Sequence, residues 1–289
     1  METSELLKKV RKIELKTKGL SNHIFAGEYH TAFKGRGMAF SEVREYQHGD
    51  DIRSIDWNVT ARFNAPFIKV FEEERELTVM LLIDVSGSKN FGTQQRMKQE
   101  LVTELSAVLA FSAIQNNDKI GVIFFSNKVE KFIPPKKGKS HILRIIRELI
   151  AFEPENTTTK IAEGLRYFNN VIKKRAVCFV ISDFMDSNFD IPLKIANKKH
   201  DLIAIKINDP REEELPNIGL VQMKDAETGQ RKWVDTSKKS VRQNYQTYFR
   251  LKSQNVHRLF KNSGVDTVQL RTDRDYVKPL IQFFKKRTK

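Results

Sequence analysis

Two apolar runs that each end abruptly at an acid, LTVMLLID at 77–84 and AVCFVISD at 176–183, constrain this chain more than any other feature. Neither run alternates apolar with polar residues. A continuous run of this length suits a strand covered on both faces, as in a parallel sheet flanked by helices. KIGVIFF at 119–125 and DLIAIKI at 201–207 read as further strands, VDTVQL at 265–270 as a last strand, and KVEKFIPP at 128–135 as a hairpin arm beside KIGVIFF. Helical stretches fall between them: one with Met97, Leu101, Leu105, Val108, Leu109 and Ser112 on one face, then 141–150, 161–172, 191–200 and 275–286. Strands alternating with helices give an α/β fold, a doubly wound and mostly parallel sheet. Sites in such sheets lie beyond the carboxyl ends of the strands, near the point where strand order reverses, and Asp84 and Asp183 are expected there.

The chain before this pattern is different. Residues 1–18 read as a short basic helix. Residues 19–76 are apolar pieces punctuated by Gly, Asp and Asn, which predicts turns, short strands and a hairpin. The expected division is a small β-rich N-terminal segment at 1–76 and an α/β domain at 77–289. Within the latter, 218–235 reads as a hairpin turning at Glu227-Thr228-Gly229. Residues 238–263 read as a long helix with Val241, Tyr245, Tyr248, Phe249, Val256, Leu259 and Phe260 inward. The sequence has no apolar run of about 18 residues and no secretory pattern at its start. Its one cysteine, Cys178, lies inside an apolar run and reads as a buried small side chain. These features predict a cytoplasmic protein. The formal charge of +15 fits an acidic partner, nucleic acid or an anionic membrane face equally well, and says nothing of fold.

The chemistry concentrates in IDVSGS. Asp84 ends a strand, and Ser86 and Ser88 follow at alternate positions, so one turn can aim all three at one point. Carboxylate and hydroxyl oxygens without thiolate or imidazole suit Mg²⁺, with Mn²⁺ or Ca²⁺ as alternatives. Hydroxyls add ligands without charge, which leaves the cation ready to accept an outside carboxylate. Thr158 and Thr159 stand just before the 161–172 helix, and Asp183 ends a later strand, so oxygens from three loops can meet at one sheet edge.

This pattern resembles the metal-ion-dependent adhesion site of von Willebrand factor A domains, which are Rossmann-like. The resemblance assigns Asp84, Ser86 and Ser88 to the first loop, Thr159 (with Thr158 as rival) to the second and Asp183 to the third. It implies Mg²⁺ with an open position for a partner's acidic side chain. The upstream string EVREYQHGDDIRSIDWNVTAR, followed by VFEEERELTVMLLIDVSGS, resembles the DUF58 family of bacterial proteins, in which this segment precedes an A-type domain. That resemblance covers about residues 20–285 and implies a partner or adaptor role beside a MoxR-type AAA+ ATPase. Lys89 departs from the pattern, standing where A domains often carry Met and placing a positive charge beside the proposed cation.

Other strings carry less. Asp50, Asp51, Arg53, Asp56, Trp57 and Arg62 read either as a second docking or active surface, or as acids and bases pairing internally. Lys136–Ser140 lacks the first glycine of a phosphate loop, since Ile133 stands there, and Gly35 and Gly37 lack the third glycine of a dinucleotide fingerprint. The six histidines are scattered, with no HExxH pair. An aspartyl phosphotransferase wants a second acid where Ser86 stands. The chain therefore reads as a divalent-cation-dependent protein-binding module and not an enzyme. The alternative is a nucleic-acid-binding protein using the cations of 238–263 and of the C-terminus. Membrane-surface contact through the N-terminal helix is a third reading.

Overall fold

A computed structural model describes residues 38–63, 65–73, 77–87, 97–224 and 229–288. Ser88, Lys89 and the expected helix at 1–18 lie outside the described residues, as do Glu227 and Thr228 of the expected hairpin turn. The chain divides into two compact units, and residues 33–77 form the smaller one.

In that unit β1 (Met38–Glu45) pairs antiparallel with β2 (Phe67–Glu73). A short helix, α1 (Trp57–Phe63), lies between them in sequence and was not foreseen from it. Its start has a clear local cause. The Asp56 carboxylate accepts from the backbone N–H groups of Asn58 (3.0 Å) and Val59 (3.3 Å), satisfying donors that a helix start leaves unpaired. Asp51 likewise accepts from Arg53 N, and Asp50 holds Arg44 through paired bonds of 2.9 and 2.7 Å. The acids of the polar string are thus engaged within their own unit, while Trp57 remains exposed.

The larger unit is built on a six-stranded sheet. Its strands are β3 (Thr78–Asp84), β4 (Lys119–Phe125), β5 (Val129–Lys136), β6 (Val177–Ser182), β7 (Asp201–Asn208) and a last strand, Asp266–Arg271. A separate antiparallel hairpin comprises β8 (Leu220–Lys224) and β9 (Arg231–Asp235), so the last strand of the sheet is β10. The order is β10-β7-β6-β3-β4-β5, parallel throughout except for β5, which runs antiparallel to β4 at the edge. Pro134 and Pro135 sit in that edge strand, where a missing backbone donor is tolerated. Order reverses between β3 and β6, which are neighbours. The doubly wound, mostly parallel sheet is therefore as expected, with its switch point between the two strands that end in Asp84 and at Asp183.

Both faces are covered. Met80, Leu82, Cys178 and Val180 pack with α4 (Ile161–Val171), α5 (Asp190–Lys199) and α7 (Lys239–Ser263). Alternation sends Phe179 to the other face, where its ring meets Phe284 of α8 (Val277–Thr288) at 6.5 Å. α2 (Lys98–Gln115) and α3 (Lys139–Ala151) complete the layers, and α6 (Pro210–Glu213) is a single capped turn after β7. Two helix readings need correction. α2 is buried nearly all round, Ser106, Ala107 and Ala110 included, and not on one face alone; Met97 precedes it and is exposed. Tyr248 of α7 is 65% exposed and not inward, because it lies on the edge of a stripe centred on Val256 and Phe260.

One buried histidine makes the fold pH-sensitive. His200 follows the last residue of α5, packs its ring at a tilt against Phe168 with centroids 4.4 Å apart, and accepts from Ala176 N at Nδ1 (3.3 Å), which requires the neutral ring. Burial lowers its pKa from 6.5 to about 4, with Lys199 and Arg175 adding repulsion. The unfolded chain then binds more protons between these values, so stability is complete above about pH 6.5 and falls as pH drops toward 4. The expected loss is up to roughly 3 kcal/mol. Urea titrations at pH 7 and pH 5 check it, because His200→Gln removes this part of the slope.

Candidate metal centre

Three loops leave the carboxyl edge of the sheet side by side, and short bonds tie them together. The first follows β3. Asp84 is buried, its Oδ1 accepts from Ser86 N (3.0 Å), and the Ser86 hydroxyl also bonds to the carboxylate. Gly87 N donates to the carbonyl of Thr157 in the second loop, between α3 and α4 (2.8 Å). The third loop follows β6. Ser182 Oγ donates to Asp84 Oδ2 (2.6 Å) and accepts from Phe184 N (3.0 Å). Asp186 of this third loop accepts from Ile161 N (2.7 Å), which caps α4 from a distance. Gly164 lets α4 lie close to the end of β4: a Cβ there would sit 2.9 Å from the Phe125 ring.

Asp183 follows Ser182 directly. Its Oδ1 accepts from Met185 N (3.1 Å) and its Oδ2 from Lys98 Nζ (3.2 Å). The same ammonium donates to Glu212 Oε1 (2.5 Å), and Glu212 Oε2 accepts from Asp209 N (3.1 Å) in the capping box of α6. Asp84, Lys98, Ser182 and Asp183 line a cavity of about 20 Å³, with Val102 and Ile207 behind them. That is room for one water-sized occupant.

The electrostatics favour a further positive charge. Burial, and then the charge of Asp183, push the Asp84 carboxyl up from 3.8 to about 6. Burial also raises Glu212, against the pull of Lys98. Burial alone would lower Lys98, but Asp183 and Glu212 outweigh it and hold the ammonium above its ordinary value. Lys206, buried beside the group and bonded to Ser253 Oγ (2.8 Å), is lowered, chiefly by burial. Among the described residues, Asp84, Asp183 and Glu212 thus face Lys98 and Lys206, three carboxylates against two ammonium groups.

Of the residues singled out from sequence, Asp84, Ser86 and Asp183 come together. Thr158 and Thr159 are both half-buried in the second loop, which is joined to the first through Thr157. Ser88 lies outside the described residues. A hard-oxygen set of two carboxylates and the Ser86 hydroxyl fits a small divalent cation. Among the described residues, no group of three or more His, Cys, Asp or Glu side chains is placed to hold a metal, so such a site depends on hydroxyls. Sequence reasoning missed Ser182, Lys98 and Glu212. Lys98 carried a signal: it lies on the helix face of Leu101 and Leu105, a charge where apolar residues belong. Asp209-x-x-Glu212 is likewise a readable capping box.

A family model described as "Protein of unknown function DUF58" matches residues 42–255. The chain belongs to the DUF58 family. Within reach of this DUF58 protein is an uncharacterized protein of Mycobacterium tuberculosis, 27% identical over 286 residues that cover 98% of this chain and 90% of that one. The uncharacterized protein YeaD of Bacillus subtilis is 28% identical over 109 residues, 38% of this chain and 25% of its own. Among solved structures, the conserved hypothetical protein BatB from Bacteroides thetaiotaomicron aligns with a TM-score of 0.49 at 17% identity, covering 73% of this chain and 98% of that one. The SpRpn10 VWA domain aligns with a TM-score of 0.36 at 12% identity, covering 71% and 94%. No described helix is long and apolar enough to cross a membrane.

Proposed function

We propose that this DUF58 protein is a binding module that uses one divalent cation, Mg²⁺ with Mn²⁺ or Ca²⁺ as substitutes, to capture an acidic side chain of a protein partner. One observation carries the reading: Asp84, at the end of β3, and Asp183, just after the adjacent β6, are buried together, and among the described residues the carboxylates of their cluster outnumber its ammonium groups. In this reading Asp84, Ser86 and Asp183 hold the ion, with Ser88 and Thr159 completing the shell. A carboxylate from the partner takes the remaining position, where a bound cation is the largest local charge. The role is binding and not catalysis. A MoxR-type AAA+ ATPase is the partner proposed from the family resemblance.

Capture by the tagged full chain from nuclease-treated lysate, with Mg²⁺ and with EDTA, tests this. A partner held in Mg²⁺, released by EDTA and not captured by Ser86→Ala is the expected result. Capture that persists in EDTA by a folded protein contradicts it. A second reading rests on α7, where Lys239, Arg250, Arg258 and Lys261 are exposed cations. Contacts of these with phosphates would release counterions, so duplex or RNA binding would weaken steeply with salt. No retardation at low salt rules that reading out.

A further inference from the structure

The Lys98 ammonium sits where the proposed cation site and the interior meet. It is 4% exposed at the side chain and within 3.2 Å of Asp183 Oδ2 and 2.5 Å of Glu212 Oε1. Asp183 Oδ1 accepts from Met185 N and Oδ2 from Lys98 Nζ, and Asp183, Lys98 and Asp84 together line the small cavity. A divalent cation that takes Asp183 Oδ2 must face this ammonium at close range, in surroundings that screen poorly. A way out is built in. Glu212 is already bonded to Lys98, and its other oxygen is fixed by Asp209 N, so it can keep the ammonium without rearranging.

We propose that Lys98 is a tethered internal competitor of the divalent cation, shared between Asp183 and Glu212 in the metal-free protein and passed to Glu212 alone when the cation binds. The inference rests on the metal-binding reading above and adds a determinant of affinity that lies outside the ligand set. The cluster holds positive charge at Asp183 in both states, so the site persists without metal, and the metal is bound less tightly than the oxygens alone would allow. Glu212 acts in the opposite direction from Lys98. Neutralising it leaves the ammonium to Asp183 alone and strengthens the competitor.

The two side chains therefore have opposite signs in one experiment, calorimetric titration of the full chain with Mg²⁺. Lys98→Met should tighten binding by about tenfold or more, and Glu212→Gln should weaken it by about tenfold, effects of the size that groups behind the ligands produce. A merely structural role would weaken binding in both. Should Lys98→Met fail to fold, Lys98→Gln, which removes the charge and keeps a side-chain donor for Glu212, carries the same expectation of tighter binding. Unchanged affinities in both variants, or a loss in both, overturn the competitor while leaving the metal site standing. No binding by the native chain removes the metal reading and this inference with it.

Discussion

Asp84→Asn should abolish Mg²⁺ binding, by a factor of at least about a hundred, while leaving the fold intact. The factor exceeds what outer-shell changes cost, because a charged ligand is lost. The second half of the expectation follows from the electrostatics. With burial and Asp183 raising its carboxyl to about 6, an ionised Asp84 is unfavourable in the metal-free fold. Asn has the same shape and can still accept from Ser86 N and bond to Ser182 Oγ, without the charge. Urea denaturation in EDTA should therefore show native-like or higher stability for the variant, alongside calorimetric loss of binding. A variant that unfolds readily in EDTA would mean that the Asp84 charge stabilises the metal-free edge, and that the charge imbalance described above is misassigned.

Lys98→Met should have the largest effect on stability. Removing one member of a buried ion cluster leaves Asp183 and Glu212 without their shared cation, at a cost of about 3–5 kcal/mol. For a chain of this size that lowers the Tm by on the order of 10 °C. Saturating Mg²⁺ should restore part of the loss, because ligand binding stabilises by mass action. The comparison is Lys128→Met, which breaks an exposed pair with Glu155 and should leave the melting midpoint essentially unchanged. Melting curves of both variants, with and without Mg²⁺, decide this. Equal behaviour of the two lysines would show that the buried cluster contributes nothing special.

The sheet was legible because its strands are buried on both faces, and β3 and β6 advertise that as unbroken apolar runs ending at Asp84 and Asp183. The antiparallel pairing of β5 with β4 was legible as a hairpin arm. Strand order was not, since nothing local makes β6 the neighbour of β3. That adjacency turns two acids 99 positions apart into one site, and it brings in Ser182 Oγ as the bridge. Lys98 and Glu212 were overlooked because ligand patterns are read in loops, whereas these groups reach the site from a helix start and a one-turn cap. α1 was overlooked because seven residues give too little periodicity, although Asp56 marked its start. Tyr248 was placed inward by spacing alone, and the stripe proved narrower than the apolar residues on it.

The central claim is that one divalent cation lies at the switch point, and anomalous diffraction from crystals of the full chain soaked in Mn²⁺ tests it most directly. The account predicts a single peak within about 2–2.5 Å of oxygens of Asp84, Ser86 or Asp183, the span of hard-cation bonds to oxygen. Lys98 Nζ should have moved off Asp183 toward Glu212. A peak elsewhere, or none at the carboxyl ends of β3 and β6, would contradict it.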